Sequence, residues 1–169
     1  MKILLTVIGG LLLLGLTVVV VGSLLPRKHM ASRSASYHAT PEQLFALIAG
    51  PQNWRPNVLR SEAISDATGR EFMRETTRNG QTITYEVLDR VSPTSIKRRI
   101  ATENLPYSGS WVYSVQPSAE GTIVRITENG EVSNPVFRFV SLVLGHTRTL
   151  DSYLRALGRA TGQEVEIKD

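Results

Sequence analysis

The sequence predicts an α+β domain, built from an antiparallel sheet and a long C-terminal helix, behind a single transmembrane helix. Three features predict it: an uncharged apolar run at the N-terminus, short alternating segments separated by turn residues, and a final apolar stripe with helical spacing. About 140 of the 169 residues follow the apolar run, which is enough for one domain with one hydrophobic core.

The apolar run covers residues 3–25 and contains 23 residues without a charged side chain. As an α-helix it would be about 34 Å long, sufficient to cross a hydrocarbon core of about 30 Å. Pro26 would end this helix, and Arg27 and Lys28 follow at the depth of the lipid headgroups. We therefore expect residues 1–28 to form a transmembrane anchor with a basic flank.

A cleaved signal peptide is the alternative interpretation of this segment. Lys2 supplies a basic start, and Ser34-Ala35-Ser36 offers small residues for cleavage. The apolar run is, however, longer than the core of a signal peptide, which has about 7–15 residues. The anchor is therefore the preferred interpretation. The flanking charges leave the side of the domain undecided, with a small excess of cations after the anchor that favours the cytoplasm.

The positive charge of the protein is concentrated around the apolar run. The net charge is +4, and Lys2, Arg27 and Lys28 contribute three of these charges, so the residues after them carry 16 cations and 15 anions. A nearly neutral domain argues against binding of nucleic acid, which needs a concentrated basic surface. The basic cluster at residues 97–99 lies in a predicted strand, where alternation divides it between two faces.

Familiar catalytic and metal-binding patterns are absent from the sequence. It has no cysteine, which removes disulfides, thiolate catalysis and cysteine zinc sites, and it lacks the HExxH, GxSxG, P-loop and GxGxxG motifs. His29, His38 and His146 are not spaced as metal ligands. We therefore assign no catalytic residue, no metal and no cofactor. His146, predicted off the apolar face of the final helix, is interpreted as partly exposed, with an acid/base role in a pocket as the alternative.

The first half of the domain begins with a predicted strand over residues 29–37. Thr40, Pro41 and Gln43 then have the spacing of a capping box with proline at the first helical position, so a helix is expected to start there and to stop at Gly50-Pro51. A short turn around Trp54 follows.

Alternating segments then predict five or six consecutive strands. Asn79-Gly80 is a strong signal for a hairpin. After it, Ile83, Tyr85 and Val87 alternate on one face of a strand, and the same pattern recurs at residues 111–115, where Trp111, Tyr113 and Val115 share a face. The short links between these strands favour an antiparallel meander.

The C-terminal part predicts one long amphipathic helix. Asn134 and Pro135 have the spacing of an N-cap and a first helical residue. Apolar residues then recur every three or four positions as one continuous face: Val136, Val140, Val143, Thr147, Leu150, Leu154 and Leu157. Residues 162–169 are expected to form a polar tail. A single helix laid on the concave side of a curved sheet would cover it incompletely and leave a cavity.

This order of elements resembles the helix-grip fold of the START/Bet v 1-like (SRPBCC) superfamily. Within it, the chain is similar to the polyketide cyclase/dehydrase and lipid-transport-like group. The segments that carry the resemblance are ATPEQLFALIAGPQNWRPNV, EFMRE, LPYSGSW and ITENGEVSNPVFRFVSLVLG. The resemblance implies a helix-grip domain over residues 29–161 with a pocket for a lipid or another apolar molecule. It implies no particular reaction, because fold alone does not define function.

Side chains that point toward such a pocket are the candidate ligand-binding residues. The aromatic and apolar candidates have plain core packing as their alternative role, and Glu75 and Arg98 are the first choice for an inward polar pair, with cross-strand pairing on the wet face as the alternative. The predicted set is Trp54, Glu75, Tyr85, Arg98, Trp111, Tyr113, Val136, Val140 and Val143.

Three functions are compatible with these features. The preferred one is a membrane-anchored binding or transfer domain for a hydrophobic small molecule, such as a lipid. An enzyme of the cyclase or dehydratase kind would require an inward acid/base group. A ligand-free interaction or stress-response module would have a filled core. The membrane and a hydrophobic ligand are the predicted partners, and no protein partner is predicted.

Overall fold

The computed structural model describes residues 2–145 and 147–169, with every side chain in those ranges except those of Leu5 and Leu144. Four helices and seven strands follow one another along this part of the chain. Their bounds are α1 Lys2–Leu24, β1 Lys28–Tyr37, α2 Pro41–Ala49, β2 Val58–Ser65, β3 Glu71–Thr77, β4 Thr82–Val91, β5 Ser95–Ile100, β6 Tyr107–Ser118, β7 Gly121–Val132, α3 Pro135–Leu144 and α4 Arg148–Ala160.

The seven strands form one antiparallel sheet in the order β1-β7-β6-β5-β4-β3-β2. Strands β2 to β7 are a meander in which each strand pairs with the next, as the short links predict. Strand β1 joins at the far side of β7, where Lys28 pairs with Glu131 and Tyr37 with Thr122. The predicted α+β class with a curved antiparallel sheet is confirmed.

Helix α2 begins at the capping box that the sequence predicts. The Thr40 hydroxyl accepts the Gln43 backbone N–H at 3.3 Å, and the Gln43 side-chain oxygen accepts the Thr40 N–H at 3.1 Å. Pro41 occupies the first turn, where the backbone N–H that proline lacks would have no acceptor within the helix. Leu44, Phe45 and Ile48 are then buried on one face against the sheet.

The predicted hairpin at Asn79-Gly80 joins β3 to β4. Gly80 has a φ of 87° and donates its N–H to the Thr77 carbonyl at 2.9 Å, while the Thr77 N–H donates to the Gln81 carbonyl at 2.8 Å. The connection is therefore a turn followed by one residue with positive φ, so the hairpin loop is longer than two residues. Glycine suits that position because it has no Cβ to oppose a positive φ.

The hydrophobic core lies between the inner face of the sheet, α2 and α4. Leu150, Leu154 and Leu157 of α4 are completely or almost completely buried in it. The buried Tyr37 of β1 donates its hydroxyl to the Leu154 carbonyl at 2.9 Å, which ties the edge strand to the helix. Helix α4 therefore supplies the core contacts that the C-terminal apolar stripe predicts.

The expectation of one uninterrupted final helix is wrong. The helical stretch divides into α3 and α4 at Gly145, whose φ is 78°. A positive φ is incompatible with continuing the helix, and glycine adopts it without steric cost; the two pieces have different neighbours. The apolar residues of α4 enter the core, whereas Val136, Val140 and Val143 of α3 are exposed. The prediction for His146 concerns a residue outside the described ranges.

Helix α3 packs against the end of α1. A Cβ at Gly22 would collide with the backbone of Pro135, so the two helices approach closely at this glycine. The Arg138 guanidinium donates to the Leu25 carbonyl at 2.9 Å and so satisfies one of the carbonyls left free at the end of α1. Among the described helices, α1 alone is long and apolar enough to cross a membrane.

The last residues fold back onto the domain, although the sequence predicts a polar tail. Ser34 and Lys168 exchange two backbone hydrogen bonds of 2.8 Å, which form an antiparallel bridge beside β1. Val165 and Ile167 pack against the core. The alternation of apolar and charged residues at the C-terminus is the signal that accounts for this contact.

We expect Leu154→Ala to lower the free energy of unfolding by about 2–5 kcal/mol, because the cavity left under α4 adds to the lost burial. The measurement is chemical denaturation of the full chain in detergent micelles. Leu59→Ala is the matched control, since Leu59 is 61 % exposed, and its effect should stay within about 0.5 kcal/mol. Equal effects of the two changes would contradict the position of α4 in the core.

Candidate functional site

A cavity of about 340 Å³ lies between the inner face of the sheet and the α3–α4 segment. This volume is in the range of small-molecule sites, which begins at about 300 Å³. Its lining includes Arg55, Asn57, Glu75, Thr77, Ile83, Tyr85, Tyr107, Trp111, Glu128, Val132, Phe137, Ser141, Gly145 and Thr149. The cavity is therefore the space that incomplete coverage of the curved sheet predicts.

A narrow extension of about 50 Å³ adjoins the inner end of this cavity. The two spaces share Arg55, Glu75, Tyr85, Trp111 and Thr149 as lining residues. The extension adds three further side chains: Arg98, Tyr113 and Tyr153. The inner end of the cavity thus carries charged and phenolic groups.

Glu75 and Arg55 form an ion pair at this inner end, with 2.9 Å between Oε2 and Nη1. Glu75 is only 4 % exposed, and it points inward because side chains alternate along β3. Arg55 also donates to the Gln52 side-chain oxygen at 3.0 Å and lies 5.2 Å from the ring centre of Tyr153. Burial is the largest single influence on the pKa of Arg55 and lowers it, but the Glu75 carboxylate and the nearby tyrosines together outweigh burial, and the net shift is upward.

The predicted pair of Glu75 and Arg98 is not formed, although both side chains are buried and point inward. Arg98 is 3 % exposed and donates from Nη2 to the carbonyls of Ile48 and Ala49, at 2.8 and 3.1 Å. It therefore closes the C-terminal turn of α2, while its Nε has no hydrogen-bond partner among the described residues. The true partner of Glu75 is Arg55, which the sequence analysis did not identify.

Arg55 lies in an irregular turn, where no periodicity shows which way a side chain points. The only sequence-based reason to expect such a partner was that a buried carboxylate requires a cation. That requirement says that a partner exists and does not say which arginine supplies it.

The predicted aromatic residues lie close together, in different roles. Tyr85 and Trp111 line the cavity with their rings 5.9 Å apart and nearly perpendicular. Tyr113 lines the narrow extension and stacks at a tilt on Tyr153, with 5.3 Å between ring centres. Trp54 instead packs against the core and donates its indole N–H to the Leu47 carbonyl at 3.2 Å. It is not among the residues that line these spaces.

Val136, Val140 and Val143 are not among the residues that line the cavity either. Helix α3 borders the cavity with Phe137, Ser141 and Gly145, which are spaced by four residues on another face of the helix. The sequence analysis placed these three valines toward the sheet because it treated α3 and α4 as one helix with one continuous apolar face. The break at Gly145 and the contact with α1 remove that continuity.

Burial raises the pKa of Tyr85 above its ordinary value, and it raises those of Tyr113 and Tyr153 as well. These phenols are therefore neutral at physiological pH and keep a proton to donate. At another part of the cavity wall, His29 Nε2 lies 3.3 Å from a Glu128 carboxylate oxygen. The cavity thus combines apolar walls with a few polar groups, as ligand sites usually do.

A larger depression of about 610 Å³ lies at the ends of β1, β5, β6 and β7. It is an open groove, lined mainly by side chains that alternate with the inward-pointing ones, such as Met30, Arg99 and Glu131. Because this groove is open to solvent, the smaller but more enclosed cavity between the sheet and the helices is the candidate site.

A family model described as polyketide cyclase / dehydrase and lipid transport matches residues 28–161. The chain belongs to this family. The match excludes α1 and covers β1 to α4, so the polyketide cyclase/dehydrase domain is the part that contains the cavity. No curated protein matches the sequence.

Solved structures with the same fold come from several proteins. A START superfamily protein from Mycobacterium smegmatis is 20 % identical, covers 79 % of this chain and 98 % of its own, and has a TM-score of 0.63. Truncated norcoclaurine synthase from Thalictrum flavum is 13 % identical over 79 % and 93 %, with a TM-score of 0.60. The di-domain ARO/CYC StfQ of the steffimycin biosynthetic pathway is 11 % identical over 77 % and 49 %, with a TM-score of 0.61. These similarities confirm the START/Bet v 1-like fold.

We expect stability to fall as the pH rises above about 10, because buried tyrosines keep their protons in the folded state at pH values where unfolded tyrosines lose them. Tyr85→Phe removes one such group and should make this alkaline loss shallower. Denaturation midpoints of the full chain between neutral and alkaline pH measure the difference. Identical pH profiles for the two chains would show that Tyr85 is not buried as described.

Proposed function

We propose that this protein is a membrane-tethered binding or transfer domain for a hydrophobic small molecule with a polar group, such as a lipid. The observation that carries the proposal is the cavity of about 340 Å³ that ends on the ion pair between the buried Glu75 and the partly buried Arg55. Its volume argues against a module with a filled core, because ligand sites begin at about 300 Å³.

The distribution of lining groups supports a ligand that is polar at one end. Ile83, Val132 and Phe137 supply apolar walls, whereas Arg55 and the neutral Tyr85 hydroxyl lie at the inner end. A guanidinium and a phenol donate hydrogen bonds to an oxygen-bearing group. We therefore expect the polar group of the ligand to bind inward and its apolar part to extend toward α3.

The position of β1 supports a retained anchor over a cleaved signal peptide. Ser34 and Ala35, at the alternative cleavage site, are buried in the middle of β1 and paired with β7. Cleavage there would remove the first half of this strand, including the core residue Ala31. The contact of α3 with Gly22 and Leu25 would also be lost.

An enzyme of the cyclase or dehydratase kind is the second candidate. The observation in its favour is that Glu75, Glu128 and His29, which include groups able to move protons, face the cavity. Two of the structural neighbours are a synthase and an ARO/CYC protein, and their identities of 13 % or less support the fold alone.

The proposal is tested by native mass spectrometry of the full chain, purified in detergent and incubated with a membrane lipid extract. We expect one apolar species bound per chain. Thr149→Trp should abolish or greatly reduce this binding, because Thr149 lines both the cavity and its extension and is exposed, so that a larger side chain fills the space without entering the core.

Arg155→Trp is the matched control, since Arg155 is an exposed residue on the same helix that lines neither the cavity nor the depression beside Thr149. It should bind as the unsubstituted chain does. Equal binding by both variants, or no binding by any chain, would refute the proposed site. A bound species whose mass is absent from the original extract would favour the enzyme instead.

A further inference from the structure

The outward surface of α3 is apolar although it does not enter the core. The one charged residue of this helix, Arg138, is buried against the Leu25 carbonyl. Five apolar side chains of the helix are between 42 % and 70 % exposed: Val136, Phe137, Val140, Leu142 and Val143. In water this exposure is unfavourable, since each apolar side chain gains free energy when it leaves water.

The contact between α3 and α1 joins this apolar surface to that of the candidate membrane span. Along α1 only Val18, Val21 and Gly22 are partly or fully covered among the described side chains, and their spacing places them on one face at the end of the helix. Gly22 lies against Pro135. The rest of α1 is exposed and apolar, so the two helices form one continuous apolar surface.

We infer that α3 lies at the interface between the headgroups and the acyl chains of the bilayer, as a second element that contacts the membrane. The cavity therefore opens to lipid. The inference rests on the proposed function and deepens it, because it identifies the bilayer as the source from which a ligand enters. Helix α3 is not a transmembrane segment, since ten residues span about 15 Å.

The faces of α3 are divided in the way this position requires. Pro135 and Arg138 contact α1, whereas Phe137, Ser141 and Gly145 border the cavity. Phe137 borders the cavity and is also exposed, so it lies at the rim. The remaining face, with Val140 and Val143, is free to contact acyl chains, as an interfacial helix does with its apolar side.

Other exposed apolar residues lie at the same end of the sheet. Met30 and Leu59 are near the first residues of β1 and β2, and both are exposed. Both strands begin at the end of the sheet where β7 leads into α3, because Lys28 pairs with Glu131 just before α3 and Val58 pairs with the cavity residue Thr77.

The charges around the two helices agree with a headgroup layer. Exposed Arg27 and Lys28 follow α1, and exposed Arg148 follows α3. No Asp or Glu occurs between residues 132 and 150. Exposed cations are favourable next to the negatively charged surface of a membrane.

The position of α3 is tested by quenching of a fluorophore on single cysteines, since the natural chain has none. The full chain is placed in vesicles of phosphatidylcholine with phosphatidylglycerol, and the quencher is a spin-labelled phospholipid. Val140→Cys and Val143→Cys should be quenched by a spin label near the glycerol end of the acyl chain, and Leu12→Cys, near the middle of α1, by a spin label near the end of the acyl chain. Val91→Cys is the matched control, because Val91 is also an exposed valine. It lies at the end of β4 that is far from α3, since β4 begins at Thr82 beside the cavity end of β3, and it should remain unquenched.

Quenching at Leu12 without quenching at Val140 and Val143 would overturn the inference and leave the tether intact. The absence of quenching at Leu12 would refute the tether itself, and with it both proposals. Dipolar coupling between spin-labelled Val143→Cys chains, with no lipid contact, would show that a second copy covers α3 and would also overturn the inference. Quenching at all three positions in a chain that binds no ligand would support the position of α3 and refute the proposed function alone.

The route of uptake is tested with Val143→Lys, a change at a side chain that is 70 % exposed. A charge on this face should weaken its contact with acyl chains. We expect uptake of the apolar species from lipid vesicles to become several-fold slower, with the amount bound at equilibrium unchanged. Val91→Lys should not alter the rate. Equal rates for both variants would refute uptake through the bilayer.

Discussion

The positive φ of Gly145 divides the final helical stretch between two environments, and both the core and the cavity depend on this division. Beyond the break, α4 lays Leu150, Leu154 and Leu157 on the sheet and completes the core. Before it, α3 turns away to the end of α1 and borders the cavity with only one of its faces. A single straight helix would have had to serve both neighbours, and the space beside Ser141 and Gly145 depends on the change of direction.

Two buried arginines and one partly buried arginine show how the fold satisfies charges inside a small domain. Arg55 pairs with Glu75, Arg98 closes the last turn of α2, and Arg138 closes the last turn of α1. A buried guanidinium without partners would be strongly unfavourable. Two of the three arginines therefore hold helices in position, and Arg55 is the one of the three that lines the main cavity, together with its partner Glu75.

The proposed tether and the proposed site are connected through α3. Helix α1 ends at Leu24 and β1 begins at Lys28, so the linker is too short for the domain to move far from the membrane surface. The contact at Gly22 and Pro135 restricts it further. A cavity whose rim is formed by the helix next to the anchor is well placed to exchange an apolar molecule with the bilayer, where such molecules are concentrated.

The sequence by itself determined the features that depend on local interactions. These include the apolar span, the capping box at Thr40 and Gln43, the hairpin at Gly80, and the alternation that turns Tyr85 and Trp111 inward. Each follows from residues close together in the chain, where helical or strand periodicity and backbone preferences are decisive. The order of these elements was also sufficient for the family resemblance that the match over residues 28–161 confirms.

Only the tertiary structure decided the pairings between distant residues. Glu75 could be recognised as an inward carboxylate, but its partner Arg55 lies in a turn without periodicity. Arg98, the predicted partner, instead donates hydrogen bonds to carbonyls at the end of α2. The exposure of Val136, Val140 and Val143 likewise depends on where α3 is directed after β7. The physical reason is the same in each case: periodicity shows which face of an element is apolar, whereas the neighbour that meets this face is chosen by packing across the whole chain.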